Sequence, residues 1–147
     1  MQEKTEIDPW RAYLVVVTGG ELKAIDVRSG QVAWRVMVDE GGGPLDPAPL
    51  LDLAVEGPRV FVAPRGHKVL HCFDYATGAH VWAAQTSSTF RAQIVADGPQ
   101  VYVARGSDID CYGTDGVLRW TAPVTTMRSP QVAFGFAGNV RQVDLTD

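Results

Sequence analysis

Three histidines are the first residues with chemistry to offer. His67 and His71 stand four apart, and His80 follows nine further on. An imidazole can ligate a metal or carry a proton. A closed metal site, though, needs three or four convergent donors. The pattern puts His67 in a hairpin turn, His71 on a strand and His80 at a strand start. A spacing of four aligns side chains on a helix but not across a turn. The reading therefore predicts no metal site. Asp108 and Asp110 form a D-x-D that shares one strand face, where two carboxylates could hold a cation or act as an acid/base pair. The usual habit of aspartate favours a solvated strand edge instead, beside the Gly106-Ser107 turn. Ser87-Ser88-Thr89 has no histidine and acid at the spacing of a nucleophilic triad. The Gly41–Gly43 triplet has neither a following Lys-Ser/Thr nor a helix to open, so it is no phosphate cradle. No catalytic residue and no cofactor is predicted.

The elements that must position these groups repeat. Leu14 to Trp34 reads strand, glycine turn, strand, glycine turn, strand. Leu14–Val17 is a short β-branched run. Gly19-Gly20 supplies a hairpin turn of positive φ, Leu22–Val27 is the next strand, and Arg28-Ser29-Gly30 turns again. Gln31–Val38 then alternates, with Val32, Trp34 and Val36 expected on one face. The unit returns as Val60–Ala63, Leu70–Tyr75, Gly78 and Trp82, and again as Val101–Ala104, Ile109–Tyr112, Gly116 and Trp120. Each later copy is led by one more strand, Leu50–Val55 or Ala92–Ala96, ending in Gly57-Pro58 or Gly98-Pro99. A fourth copy begins near Val132: residues 131–147 lie over 13–29 without a gap.

Trp34, Trp82 and Trp120 each stand four residues after a glycine and are 48 and 38 residues apart. Those spacings bracket the ~40–45 residues of a four-stranded propeller blade. Blades of this kind stack radially. The expected fold is all-β, with blades of four antiparallel strands and roughly three to four blades per chain, a half-propeller. The division is a tail over residues 1–12, holding Pro9 and an anchoring Trp10, then a repeat domain over 13–147. Within it lie a partial blade over 14–38, blades over 50–86 and 92–123, and a partial blade over 131–147.

The segments AIDVRSGQVAW and CFDYATGAHVW resemble the repeat of the pyrroloquinoline-quinone-type propellers, which include quinoprotein dehydrogenases and non-enzymatic outer-membrane assembly lipoproteins. The resemblance implies blade-docking roles for Trp34, Trp82 and Trp120, with Gly30, Gly78 and Gly116 and the turn aspartates Asp26 and Asp74. The third copy has Gly113 where those aspartates stand. The quinone enzymes use adjacent cysteines and a calcium held by Glu, Asn and Asp. Here the two cysteines are not adjacent, and Asn139 is the sole asparagine. Cys72 and Cys111 both fall at the place of Ala24, in neighbouring blades, too far apart for the ~5.5 Å Cα separation of a disulfide. Both are predicted to be buried free thiols.

The net charge is −4 and the pI about 5.3. With no Lys/Arg cluster, a nucleic-acid footprint is not expected. No apolar run reaches the roughly 18 residues of a membrane span. MQEKTEIDPW is not a signal peptide, so a chain complete as it stands would be cytoplasmic. Open blade edges invite association, and the expected partner is a second copy, in a dimer that completes a ring, with a further protein partner presented to the loops. The function expected is that of a non-catalytic, self-assembling module for protein or small-ligand interaction. Two alternatives stand beside it. One is a ligand, cofactor or enzyme site at the axis of the assembled ring, where Asp108, Asp110 and Arg105 would converge. The other is that the chain is a piece of a larger propeller.

Overall fold

A computed structural model of the chain describes residues 8–18, 20–38, 51–64, 67–87, 93–124, 134–136 and 139–141. The expected loop over residues 39–49, Gly19, Ser88 and Thr89 lie outside them. Strands β1 (Tyr13–Thr18), β2 (Glu21–Asp26) and β3 (Val32–Met37) form one antiparallel sheet. Strands β4 (Leu51–Glu56), β5 (Arg59–Pro64), β6 (Val69–Asp74) and β7 (His80–Gln85) form a four-stranded meander. Strands β8 (Gln93–Asp97), β9 (Gln100–Arg105), β10 (Asp108–Gly113) and β11 (Leu118–Pro123) repeat it. Strands β12 (Phe134–Phe136) and β13 (Asn139–Arg141) make a final hairpin. The chain is a partial β-propeller of four-stranded blades, with blade 1 represented by three strands. Among the described residues no helix is long and apolar enough to cross a membrane.

The gapless overlay of the last copy on the first holds in the register. Phe136 pairs with Asn139 and Phe134 with Arg141, as Thr18 pairs with Glu21 and Val16 with Lys23. The lead-in is not wholly irregular. Pro9–Arg11 forms a single 3-10 turn, with Asp8 accepting from the Trp10 amide. Trp10 meets Tyr75 edge-on at 5.6 Å, and the Tyr75 hydroxyl bonds the Tyr13 backbone at both N and O.

The blades pack face to face, and the middle one shows why. Side chains of a strand point alternately to its two faces. Along β5, Val60 and Val62 join Leu22 and Val38 of blade 1, with Phe73 and Tyr75 beside them. Phe61 and Ala63 on the opposite face join Ile94, Val101 and Val103 of blade 3, with Leu70 and Cys72. Residues 60–64 are all buried. In β1, whose outer face meets no blade among the described residues, Leu14 is 59% exposed. Strands β4 and β8 run side by side, and the Asp52 carboxylate accepts from the Ile94 amide at 2.7 Å.

One feature of the pattern escaped the alternation. Ala24 pairs with Trp34 but Ile25 with Val32, so Ala33 is extra. The same one-residue bulge falls at Val81, between the Cys72–Trp82 and Phe73–His80 pairs, and at Arg119, between Cys111–Trp120 and Tyr112–Leu118. A bulge leaves one residue unpaired and bends the strand. Val32 therefore does not share a face with Trp34 as its spacing suggests: it pairs with Ile25, on the other face.

Ala24, Cys72 and Cys111 occupy one slot, each opposite a tryptophan, and each is fully buried. Both cysteines are free thiols. Burial pushes the Cys72 thiol from an ordinary 9.0 up to about 12, with the Arg59 charge pulling back and Asp74 adding to the rise. Burial raises Cys111 too. Above pH 9 the unfolded chain releases a proton that the folded chain retains. The stabilisation is thus complete below pH 9 and is lost as pH rises toward 12, a difference of up to about 4 kcal/mol for a three-unit gap. Urea melts between pH 8 and 11 are expected to show stability falling with pH more steeply in the parent than in Cys72→Ala, which carries the residue of blade 1. Equal slopes would refute the assignment.

Candidate functional site

The seams between blades hold almost every residue singled out by type. Trp34, at the end of its bulge, reaches from β3 to the glycine turn of blade 2. Its indole N–H donates to the Tyr75 carbonyl at 2.8 Å. A Cβ on Gly78 would lie 2.5 Å from the Trp34 ring, so the indole lies against the bare backbone there. Trp82 repeats this on blade 3, donating to the Thr114 carbonyl at 2.9 Å, with a Gly116 Cβ falling 2.7 Å from its ring. Gly78 and Gly116 have φ of 79° and 84°, a region that side chains other than glycine's enter at a cost. Each glycine is therefore required twice, by conformation and by space. Gly30 has the same conformation, with φ of 74°, but open space where the ring would be. Trp120 is 45% exposed.

The turn aspartates hold these glycines in place. The Asp26 carboxylate accepts from the amides of Arg28 and Ser29. Asp74 accepts from the Thr77 amide and hydroxyl. Blade 3 lacks the residue. There Asp115, at the place of Ser29 and Thr77, accepts from the Val117 amide at 3.0 Å as those two accept from the Gln31 and Ala79 amides, and it pairs with Arg119. A side chain at Gly113 would run into both Arg119 and Asp115.

Arg105 and Asp110 belong to the seam between blades 2 and 3. Arg105 is 1% exposed. Its guanidinium donates to the carbonyls of Pro64 and His67 and to the Thr86 hydroxyl. Asp110 is not at a solvated edge as its type suggests; it is equally buried. It accepts from the Ser87 amide at 3.1 Å and the Thr121 hydroxyl at 2.8 Å. Beside them the Tyr112 hydroxyl donates to the Gln85 carbonyl at 2.6 Å. Burial raises the Tyr112 phenol well above its ordinary value, aided by the Asp110 charge and opposed by Arg105. A buried charge is tolerated only when its hydrogen-bonding capacity is met; here blade 2 supplies all three Arg105 acceptors, and Asp110 draws on Ser87 of blade 2 and on Thr121 of its own blade. Asp108 stands at the near end of β10, opposite Arg105 in the register and half-buried.

The histidines that meet are a pair the spacing did not single out. His71 does not look toward His67: its Nδ1 is 3.1 Å from Nε2 of His80. The bulge at Val81 brings this about. It turns Trp82 toward blade 3 and His80 toward blade 1, where His71 also faces. The pair borders a cavity of about 520 Å³ at the seam of blades 1 and 2, with Val36, Phe73 and Gly78 among its walls. The sequence holds the hairpin pairing that joins them, but not the bulge. Among the described residues no three His, Cys, Asp or Glu gather as for a metal ion.

Comparisons with known proteins agree with the fold. The sequence family described as outer membrane protein assembly factor BamB matches residues 18–147. The structure of BamB from Moraxella catarrhalis is similar, with 25% identity and a TM-score of 0.61, covering 88% of this chain and 38% of that one. Hydrazine synthase of Kuenenia stuttgartiensis is 18% identical, with a TM-score of 0.63, over 84% of this chain and 36% of that one. A quinohemoprotein alcohol dehydrogenase of Comamonas testosteroni is 18% identical, with a TM-score of 0.55, over 76% and 19%. The chain thus spans well under half the length of these solved relatives. No curated protein matches it.

Two substitutions test the seams. Gly78→Ala should cost about 2–4 kcal/mol, since the half-buried Trp34 ring must move as well, whereas Gly30→Ala should cost only the ~1–2 kcal/mol of left-handed strain. Chemical denaturation measures both, and equal losses would contradict the indole contact. Arg105→Met keeps the volume but strips three acceptors of their donor, with an expected loss of about 2–4 kcal/mol. An unchanged midpoint would show that the loops hold themselves.

Proposed function

Because the chain belongs to the outer membrane protein assembly factor BamB family, we propose that it is a non-catalytic propeller module that acts by docking. The carrying observation is the unequal state of three equivalent turns. Gly78 and Gly116 are each covered by an indole of the preceding blade, while Gly30 opens on space. The outer face of blade 1 has the chemistry of an interior seam, and among the described residues nothing lies against it at Gly30. We place a second copy there, its C-terminal residues 131–147 meeting the edge formed by Leu14–Trp34, so that a ring is completed in a dimer. The description of BamB as an assembly factor supports a role among protein partners rather than in turnover. The engagement of Arg105 and Asp110 in loop contacts agrees with this, because those side chains serve packing.

A second reading has its own support: the chain covers 36–38% of two of its solved relatives, as a segment of a larger propeller would. Then the face at Gly30 meets further blades of the same protein.

Sedimentation velocity at micromolar concentration separates the two. The docking module should sediment as a discrete dimer, and Gly30→Arg, which fills the open face, should return it to monomer with its β-sheet circular dichroism intact. A folded, strictly monomeric parent would overturn the dimer. A parent that aggregates without a discrete species would favour the segment.

A further inference from the structure

We propose that His71 and His80 form a two-nitrogen chelate for a first-row divalent transition-metal ion, Cu²⁺ by preference, at the seam of blades 1 and 2. The facing nitrogens are 3.1 Å apart. Two Cu–N bonds of ~2.05 Å subtend roughly 98° across that gap, using the bond length of imidazole–metal sites. The angle sits near the 90° between neighbouring positions of a tetragonal ion, the geometry of Cu²⁺ and Ni²⁺, and imidazole affinity rises to its maximum at copper.

The rings are held in advance. His71 is 5% exposed on β6. Phe73 packs against the His71 ring at 5.9 Å and edge-on to His80 at 5.3 Å, with the two imidazoles 5.3 Å apart. His80 stands at the exposed start of β7, where an ion from solvent can reach it. In the hydrogen-bonded pair one facing nitrogen carries a proton. When the ion enters, that ring passes its proton to its far nitrogen or to solvent, and both facing nitrogens then present lone pairs. The cavity of about 520 Å³ on the same side leaves room for the water ligands that fill the remaining positions.

The test is a Cu²⁺ titration of the full chain, followed by electron paramagnetic resonance and competition with a chelator of known affinity. One equivalent should bind with coupling to two imidazole nitrogens. His80→Gln, on an exposed position, should weaken binding at least tenfold and leave coupling to one nitrogen or none. His67→Gln, which alters the third histidine, should leave both affinity and spectrum unchanged. Ni²⁺ should bind the same site more weakly than Cu²⁺. The assignment is overturned if no stoichiometric copper is retained, if His80→Gln binds like the parent, or if His67→Gln abolishes the signal.

Discussion

An indole laid on a bare glycine turn is the contact on which this structure depends. It joins one blade to the next at Trp34 with Gly78 and at Trp82 with Gly116. Each carries an indole N–H to a backbone carbonyl, 2.8 and 2.9 Å long. The ring needs the absence of a Cβ, and the turn needs positive φ. A single residue type satisfies both. Buried carbonyls and indole N–H groups are costly without partners, so the bond also fixes how the ring sits. Apolar cores on both sides of the middle blade follow from this alignment.

The bulge before each tryptophan is the second half of the device. A regular strand would send residues two apart to one face. With one residue extra, Trp82 faces forward to blade 3 while His80 faces back to blade 1. The outer strand therefore serves two seams at once. The repeat and its strands were legible because glycine, tryptophan and β-branched runs recur at fixed offsets. The bulges were not, because no residue type marks them: the extra positions are Ala33, Val81 and Arg119. Strict alternation consequently put Val32 on the wrong face.

The same limit explains the polar residues. Asp110 reads as a solvated aspartate from its type and its neighbouring turn. Its burial arises from blade 2, whose Ser87 amide reaches it from 23 residues away in sequence. Arg105 likewise meets carbonyls 38 and 41 residues distant. Local pattern cannot report a partner that only stacking supplies. Where the partner is local the contact stays within the turn: Asp26 and Asp74 accept from amides two or three residues on. In blade 3, where Gly113 holds the aspartate position, Asp115 makes the bond beside the glycine that Ser29 and Thr77 make in blades 1 and 2.

Burial in this fold is thus a property of stacking order as much as of residue type. Val60 and Leu14 belong to equivalent strands of adjacent blades. Val60 is fully buried, with blade 1 against its face, and Leu14 is 59% exposed. Gly78 and Gly30 differ in the same way. An element that changes from surface to core when a neighbour arrives has its energetics set by that arrival. Apolar burial near 25 cal/mol per Å² is gained at each new seam, together with one indole–carbonyl bond. The outer face of blade 1 holds that gain in reserve. Any blade that brings a tryptophan at the same offset, from another part of a longer chain or from a second copy, meets a turn already shaped to receive it.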